Sequence, residues 1–190
     1  MNGQEQCDFQ GNKMNEKPTR KKNRLGGYDY SQEGAYFITV CVKDRAELFG
    51  EVIDGNMMLN DVGRVIECEI SKVQSIRKEC CVDIYAIMPN HMHLIVRITP
   101  VVVGDDGNRP VKMLTTHHIQ RADCHPPLQK SLSNMVQGLK GAVSRQLGFS
   151  PWQRSYHDHI IRNHSEYIKI ATYIKNNPAQ WTDDEYYIER

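Results

Sequence analysis

The chain has 190 residues, 39% hydrophobic and 25% charged, and its 24 Lys and Arg against 23 Asp and Glu leave a formal net charge of +1. That is slightly more than one average domain of ~150 residues, and enough to bury roughly 70% of the unfolded surface without a disulfide or metal. The balance of charge excludes a uniformly basic nucleic-acid binder. The longest apolar run, Leu94 to Val103, is broken by Arg97, Thr99 and Pro100, so no membrane-spanning helix is expected. Met1 to Lys22 is polar and lacks the apolar stretch of a secretory leader, so a cytoplasmic location is expected. Six cysteines with no CxxC pair argue against a disulfide framework and against a four-cysteine zinc site.

Residues 1–25 read as a basic, flexible tail in which Lys13, Lys17, Arg20, Lys21, Lys22 and Arg24 are opposed only by Glu16. Ala35 to Val42 is β-branched and aromatic, the composition of a buried strand. Phe49 to Leu59 predicts a hairpin around Asp54-Gly55-Asn56. Helical spacing follows from Asp61 to Lys78, where Val62, Val65, Ile66, Ile70, Val73 and Ile76 recur, with Asn60 or Asp61 as N-cap. Val82 to Met88 and His91 to Ile98 predict two strands joined at Pro89-Asn90. Residues 101–128, rich in Gly, Pro and Asp, read as a long irregular insert. Leu132 to Leu147 is a helix closed by Gly148. Trp152 to Ile161 reads as a strand or an irregular segment. Ser165 is expected to cap a last helix to about Asn176, ended by Pro178. Residues 181–190 read as an acidic tail. The order predicts an α+β fold around an antiparallel sheet.

Two patterns could carry chemistry. His91 and His93 lie two apart in a strand, on one face with Ile95 and Arg97, while Met92, Leu94, Val96 and Ile98 form a wholly apolar opposite face. Two imidazoles on one strand face can bind one divalent metal. A pair of hydrogen-bonded histidines on a half-exposed strand is the plain alternative. A third histidine at 95, which a histidine-triad hydrolase would need, is absent, and so is HExxH. In the last helix, at about 100° per residue, Tyr167, Ile170, Ala171 and Ile174 form a core stripe with Tyr173, Asn177 and Glu166 beside it. A tyrosine there can be a nucleophile if a cation stabilises its phenolate. It can equally be an amphipathic residue at the core boundary. His117, His118, Cys124 and His125 in the insert, and His157 and His159, are not expected to be ligands.

Several segments resemble the single-tyrosine HUH transposases, named for histidine-hydrophobic-histidine, and among them the REP-associated tyrosine transposases. They are Gly27 to Tyr30, Gly34 to Cys41, Met88 to Ile95, Trp152 to Arg162, and Tyr173-Ile174-Lys175-Asn176-Asn177-Pro178, in the family's order. The resemblance implies a catalytic domain over 26–180 with an antiparallel sheet flanked by helices, the histidine strand central and the tyrosine helix packed nearby. It implies His91, His93 and Asn177 as ligands of Mg²⁺ or Mn²⁺ and Tyr173 as nucleophile. The implied reaction cuts single-stranded DNA near hairpins such as REP palindromes. The tyrosine becomes linked to the 5′ phosphate, and a free 3′ hydroxyl can later reverse the step. Lys21, Lys22, Arg24, Lys140 and Arg145 are expected phosphate contacts. The resemblance leaves monomer and homodimer both open, and implies a bacterial, nucleoid-associated enzyme. A hairpin-binding protein without cleavage and a metal-dependent phosphodiesterase using water are the competing readings.

Overall fold

The structure, a computed structural model, describes residues 28–99 and 132–189. The basic stretch 1–25, with Lys21, Lys22 and Arg24, and the insert 101–128, with its histidines, lie outside these residues. In chain order the elements are β1 (Gly34–Cys41), β2 (Gly50–Ile53), β3 (Asn56–Leu59), α1 (Asp61–Ile76), β4 (Cys80–Ile87) and β5 (His91–Ile98). Then come α2 (Leu132–Leu147), β6 (His157–Ile161), α3 (His164–Asn176) and a 3-10 segment, Asn177–Asp183. Among the described residues no helix is long and apolar enough to cross a membrane.

The main sheet has the order β4-β5-β1-β6, each neighbour antiparallel, so the fold is α+β and the histidine strand is central. One face carries Tyr36, Ile38, Val40, Met92, Leu94 and Val96, covered by Ile66 and Ile70 of α1 and Met135, Val136, Leu139 and Val143 of α2. Burying each such side chain contributes ~1.5–3 kcal/mol. On the other face α3 packs Ala171 and Ile174 on Ile95 and Ile161, with Tyr167 and Ile170 at the edge of the cluster. The expected core stripe of the last helix is therefore the one buried.

Local chemistry explains the element ends. Asp54 and Gly55 have φ of 49° and 72°, the positive pair a tight hairpin turn between β2 and β3 requires. Asn60 caps α1, its side chain accepting from the Gly63 N–H at 3.0 Å. A bulge between Val82 and Ile84 interrupts the β4 register, and Asp83 at that point takes the Arg97 guanidinium at 2.6 Å and the Tyr167 hydroxyl at 3.2 Å.

Two expectations need correction. The cap of α3 is Asn163, not Ser165: Asn163 accepts from the Glu166 N–H at 2.9 Å while the Glu166 carboxylate reaches back to the Arg162 N–H at 2.7 Å. These reciprocal bonds begin the helix earlier than Ser165 would allow. Pro178 does end α3, but it sits in the first turn of the 3-10 segment, where its missing N–H costs nothing. The acidic end of the chain is consequently not a tail, because Trp181 and Tyr186 are buried with Cys41 and Met88.

Gly63 marks a close approach. A methyl there would collide with the Phe49 backbone carbonyl and come within 2.8 Å of Leu59 Cδ2. Gly63→Ala is expected to cost about 1–3 kcal/mol by overpacking. Gly141→Ala, which meets only the flexible Arg145 guanidinium at 3.5 Å, is expected to be neutral or to stabilise α2 by about 0.5–1 kcal/mol. Urea denaturation midpoints of the two variants check both signs.

Candidate metal and tyrosine site

Strand β5 turns Met92, Leu94 and Val96 into one core, so period-two alternation must turn His91 and His93 to the α3 face. Register sets their partners: Cys41 lies opposite His91 and Thr39 opposite His93. Thr39 Oγ1 is 2.9 Å from His93 Nδ1. His91 Nδ1 meets Asn90 Oδ1 at 2.9 Å. The Asn90 amide nitrogen donates to the carbonyls of Tyr186 at 2.8 Å and Arg45 at 3.3 Å. Its oxygen must then accept, so His91 carries its proton on Nδ1 and presents a lone pair at Nε2. The Thr39 hydroxyl can accept as well as donate, and so permits the same tautomer at His93.

The two Nε2 atoms are 3.0 Å apart in a site where both rings are buried. Two donors about 2.1 Å from one ion and at right angles to each other are separated by about 3.0 Å. The spacing fits a shared divalent ion. Among the described residues, one cluster of three ligating side chains occurs: His91, His93 and Asp184, with their ligand atoms within 4.8 Å of one another. Asn177, at the C-cap of α3 and 1% exposed, lies in the same place. Its amide nitrogen donates to Asp184 Oδ2 at 2.6 Å, while its Oδ1 is buried with no hydrogen-bond partner. An orphaned buried oxygen costs ~1–3 kcal/mol, and a cation is a partner that would satisfy it. The donor set therefore fits the expected group.

Tyr173 stands on the last turn of α3, 38% exposed, its ring 5.2 Å from that of His93. Its hydroxyl is 3.2 Å from His93 Nε2 and 3.3 Å from Asp184 Oδ2. Asp184 Oδ1 is held by the Tyr186 N–H at 2.8 Å. The ring of Tyr186 lies 4.5 Å from that of His91 and the ring of Trp181 lies 5.9 Å from it. The structure thus brings together His91, His93, Tyr173 and Asn177.

Burial dominates the electrostatics. It pushes both imidazoles down to about 3, His93 also feeling His91, so both stay neutral and able to bind metal at ordinary pH. Burial, followed by the Asp184 carboxylate, raises the Tyr173 phenol well above its usual range. Without a cation this phenol is therefore a poor nucleophile.

Lys140 and Arg145 are not at this site. They lie on α2, which covers the opposite face of the sheet, and the Lys140 ammonium is taken by the carbonyls of Gln153 at 2.6 Å and Ser155 at 3.3 Å. Lys140 is a staple between α2 and the loop before β6 instead of an open phosphate contact. His159 pairs with Glu166 at 2.7 Å, away from the metal cluster. Sequence reasoning missed Asp184, Asn90, Thr39 and Tyr186. The signal for Asp184 was its seven-residue distance from Asn177, hidden by its reading as part of an acidic tail.

The imidazole shifts predict a pH dependence. In the unfolded chain a histidine binds its proton near 6.5, but in the folded chain only near 3. The unfolded state therefore binds more protons as pH falls below 6.5, and metal-free stability is lost over that window. Between pH 6.5 and 5 the expected loss is about 1.5 kcal/mol per histidine. Urea titrations in EDTA should show it in the native chain and not in His91→Gln/His93→Gln.

No protein-family model matches the sequence. An uncharacterized protein of Haemophilus influenzae is 34% identical over 175 residues, covering 90% of this chain and 94% of that one. The solved structure of a REP-associated tyrosine transposase bound to a REP hairpin is similar with a TM-score of 0.54 and 21% identity, over 81% of this chain and 72% of that one. The chain belongs to one family with the Haemophilus influenzae protein, and its fold is that of a REP-associated tyrosine transposase.

Proposed function

We propose that the protein is a metal-dependent single-strand DNA endonuclease and strand transferase with Tyr173 as nucleophile. One observation carries the reading: the Tyr173 hydroxyl stands 3.2 Å from His93 Nε2, itself 3.0 Å from His91 Nε2. A structural tyrosine has no need to stand at a pair of metal-ready nitrogens. The occupant of the structurally similar transposase, a REP hairpin, supports hairpin DNA as the partner.

His91, His93 and Asn177 would hold a Mg²⁺ or Mn²⁺ ion, and the Asp184 carboxylate stands beside them. When bound, the ion supplies Lewis-acid polarisation of a phosphate and electrostatic relief for a phenolate. The chain's own groups account for the rest. Tyr173 Oη attacks phosphorus and gives its proton to Asp184 Oδ2, the carboxylate oxygen it already faces at 3.3 Å. The Oη–P bond forms, the P–O3′ bond breaks, and the departing 3′ oxygen takes a proton from solvent. The product is a 5′-phosphotyrosine and a free 3′ hydroxyl, and the covalent link keeps the step reversible. Such chemistry on chromosomal palindromes implies action at the nucleoid.

Covalent capture tests this. The protein is incubated with a pool of single-stranded hairpins labelled at either end, with Mn²⁺ or Mg²⁺, and then denatured. Adduct is expected on the 3′-labelled strand alone, absent with EDTA and in Tyr173→Phe, and reduced at least ~100-fold in His91→Ala. Cleavage without adduct would replace the tyrosine by water. Tight hairpin binding with neither would leave a binding protein.

A further inference from the structure

The α3 face of the sheet continues past the site. Thr39 pairs with His93 on one side and His157 on the other, so the three form a row across β5, β1 and β6. At ~4.8 Å per strand, His157 is roughly 10 Å from His93. Two cavities of ≈ 390 Å³ and ≈ 710 Å³ open along this row, sharing Arg45, His157 and Tyr186 in their walls. The inner one reaches Phe37 and Thr39, and the outer one is lined by Lys43, Asp44 and Arg154.

Charge is sorted along the cleft. Asp158 and Glu185 line the inner cavity, whereas Lys43, Arg45 and Arg154 meet a single carboxylate, Asp44, in the outer one. Among the described residues, the side chains of Lys43 and Arg154 make no hydrogen bond or ion pair. Lys140 and Arg97, by contrast, are held by carbonyls and by Asp83. The turn that presents Lys43 and Arg45 is strained: Asp44 and Arg45 have φ of 56° and 55°, a left-handed conformation such residues rarely adopt. It is pinned by the Lys43 N–H to the Pro151 carbonyl at 2.8 Å and by Asn90, the partner of His91, to the Arg45 carbonyl at 3.3 Å. Such a conformation is costly and persists because these contacts hold it.

We infer that this cleft carries the sugar-phosphate backbone of a single DNA strand past the site, with Lys43 and Arg154 as its phosphate contacts; Arg45 between them is held by the Glu185 carbonyl at 3.3 Å. The occupant's identity rests on the endonuclease reading above; the cleft and its open cations do not. Trp152 and Tyr186 are 7% and 9% exposed, buried walls without an open stacking face. Contact is therefore through phosphates, tolerant of sequence and sensitive to salt.

The test is fluorescence anisotropy of the full chain with labelled oligothymidylate of about 16 nucleotides, in EDTA, over about 50–200 mM salt. Lys43→Ala/Arg154→Ala is expected to weaken binding about tenfold at the low end and to reduce the salt slope by about 1.4, at about 0.7 per lost single-strand contact. A charge-matched control, Arg64→Ala/Lys78→Ala, alters two exposed residues at the two ends of the α1 region and should leave the slope unchanged. A wild-type slope in the cleft variant, an equal loss in the control, or no binding by the native chain each overturns the inference. Covalent capture, read separately, distinguishes the failures. Loss of capture in the native chain with the slope change intact removes the endonuclease reading and leaves the cleft. Capture with an unchanged slope removes the cleft alone.

Discussion

Strand β5 must be buried on both faces, and the site follows from that constraint. One face is apolar and completes the core under α1 and α2. The other is interrupted by two imidazoles that are 0% and 1% exposed. Polar rings at such depth require partners. Nδ1 of each ring has one in Asn90 or Thr39, which aims both Nε2 atoms into the same small space. The rigidity of a central strand, paired on both sides, holds that aim in place. A pair on an edge strand or a loop would have no comparable support.

The remaining members of the site come from the last turn of α3 and the segment after it. Asn163 starts the helix and Pro178 ends it, and between these points Ala171 and Ile174 dock on Ile95 and Ile161. This docking leaves Tyr173 at the boundary, beside His93 and still open to solvent. The chain then turns through the 3-10 segment, burying Trp181 and Tyr186 and bringing Asp184 back over the rings. One carboxylate collects Tyr173, Asn177 and the Tyr186 N–H. With neutral imidazoles and a phenol raised by burial, that carboxylate is the principal charge at the centre, and it is negative. Such a site is electrostatically prepared for a cation.

Tertiary structure also divides the basic residues by what they can do. Lys140 is closed off by backbone carbonyls and lies over the Trp152 ring at 6.0 Å, while Arg97 is neutralised by Asp83. Lys43 and Arg154, far apart in sequence, meet on one cavity. A net charge near zero for the whole chain gave no hint of this local sorting.

Much was legible beforehand because it depends on short-range periodicity. The alternation from His91 to Ile98 already separated the histidine face from the core face. The three- and four-residue spacing of Tyr167, Ile170, Ala171 and Ile174 already put Tyr173 and Asn177 beside the buried stripe. Turn chemistry at Asp54-Gly55 and the breaks at Gly148 and Pro178 bounded the elements to within a few residues. What no periodicity encodes is the distance between elements. That Tyr173 reaches His93 depends on α3 docking over β5. That Asp184 belongs to the centre depends on Trp181 and Tyr186 being buried, which their acidic surroundings in sequence concealed. Whether a lysine is a staple or an open cation likewise depends on which carbonyls lie within reach. The sequence by itself determined the strands, the helices and the face each residue occupies, because those follow from local stereochemistry. Only the tertiary structure decided which of those faces meet, because that is set by packing between segments distant along the chain.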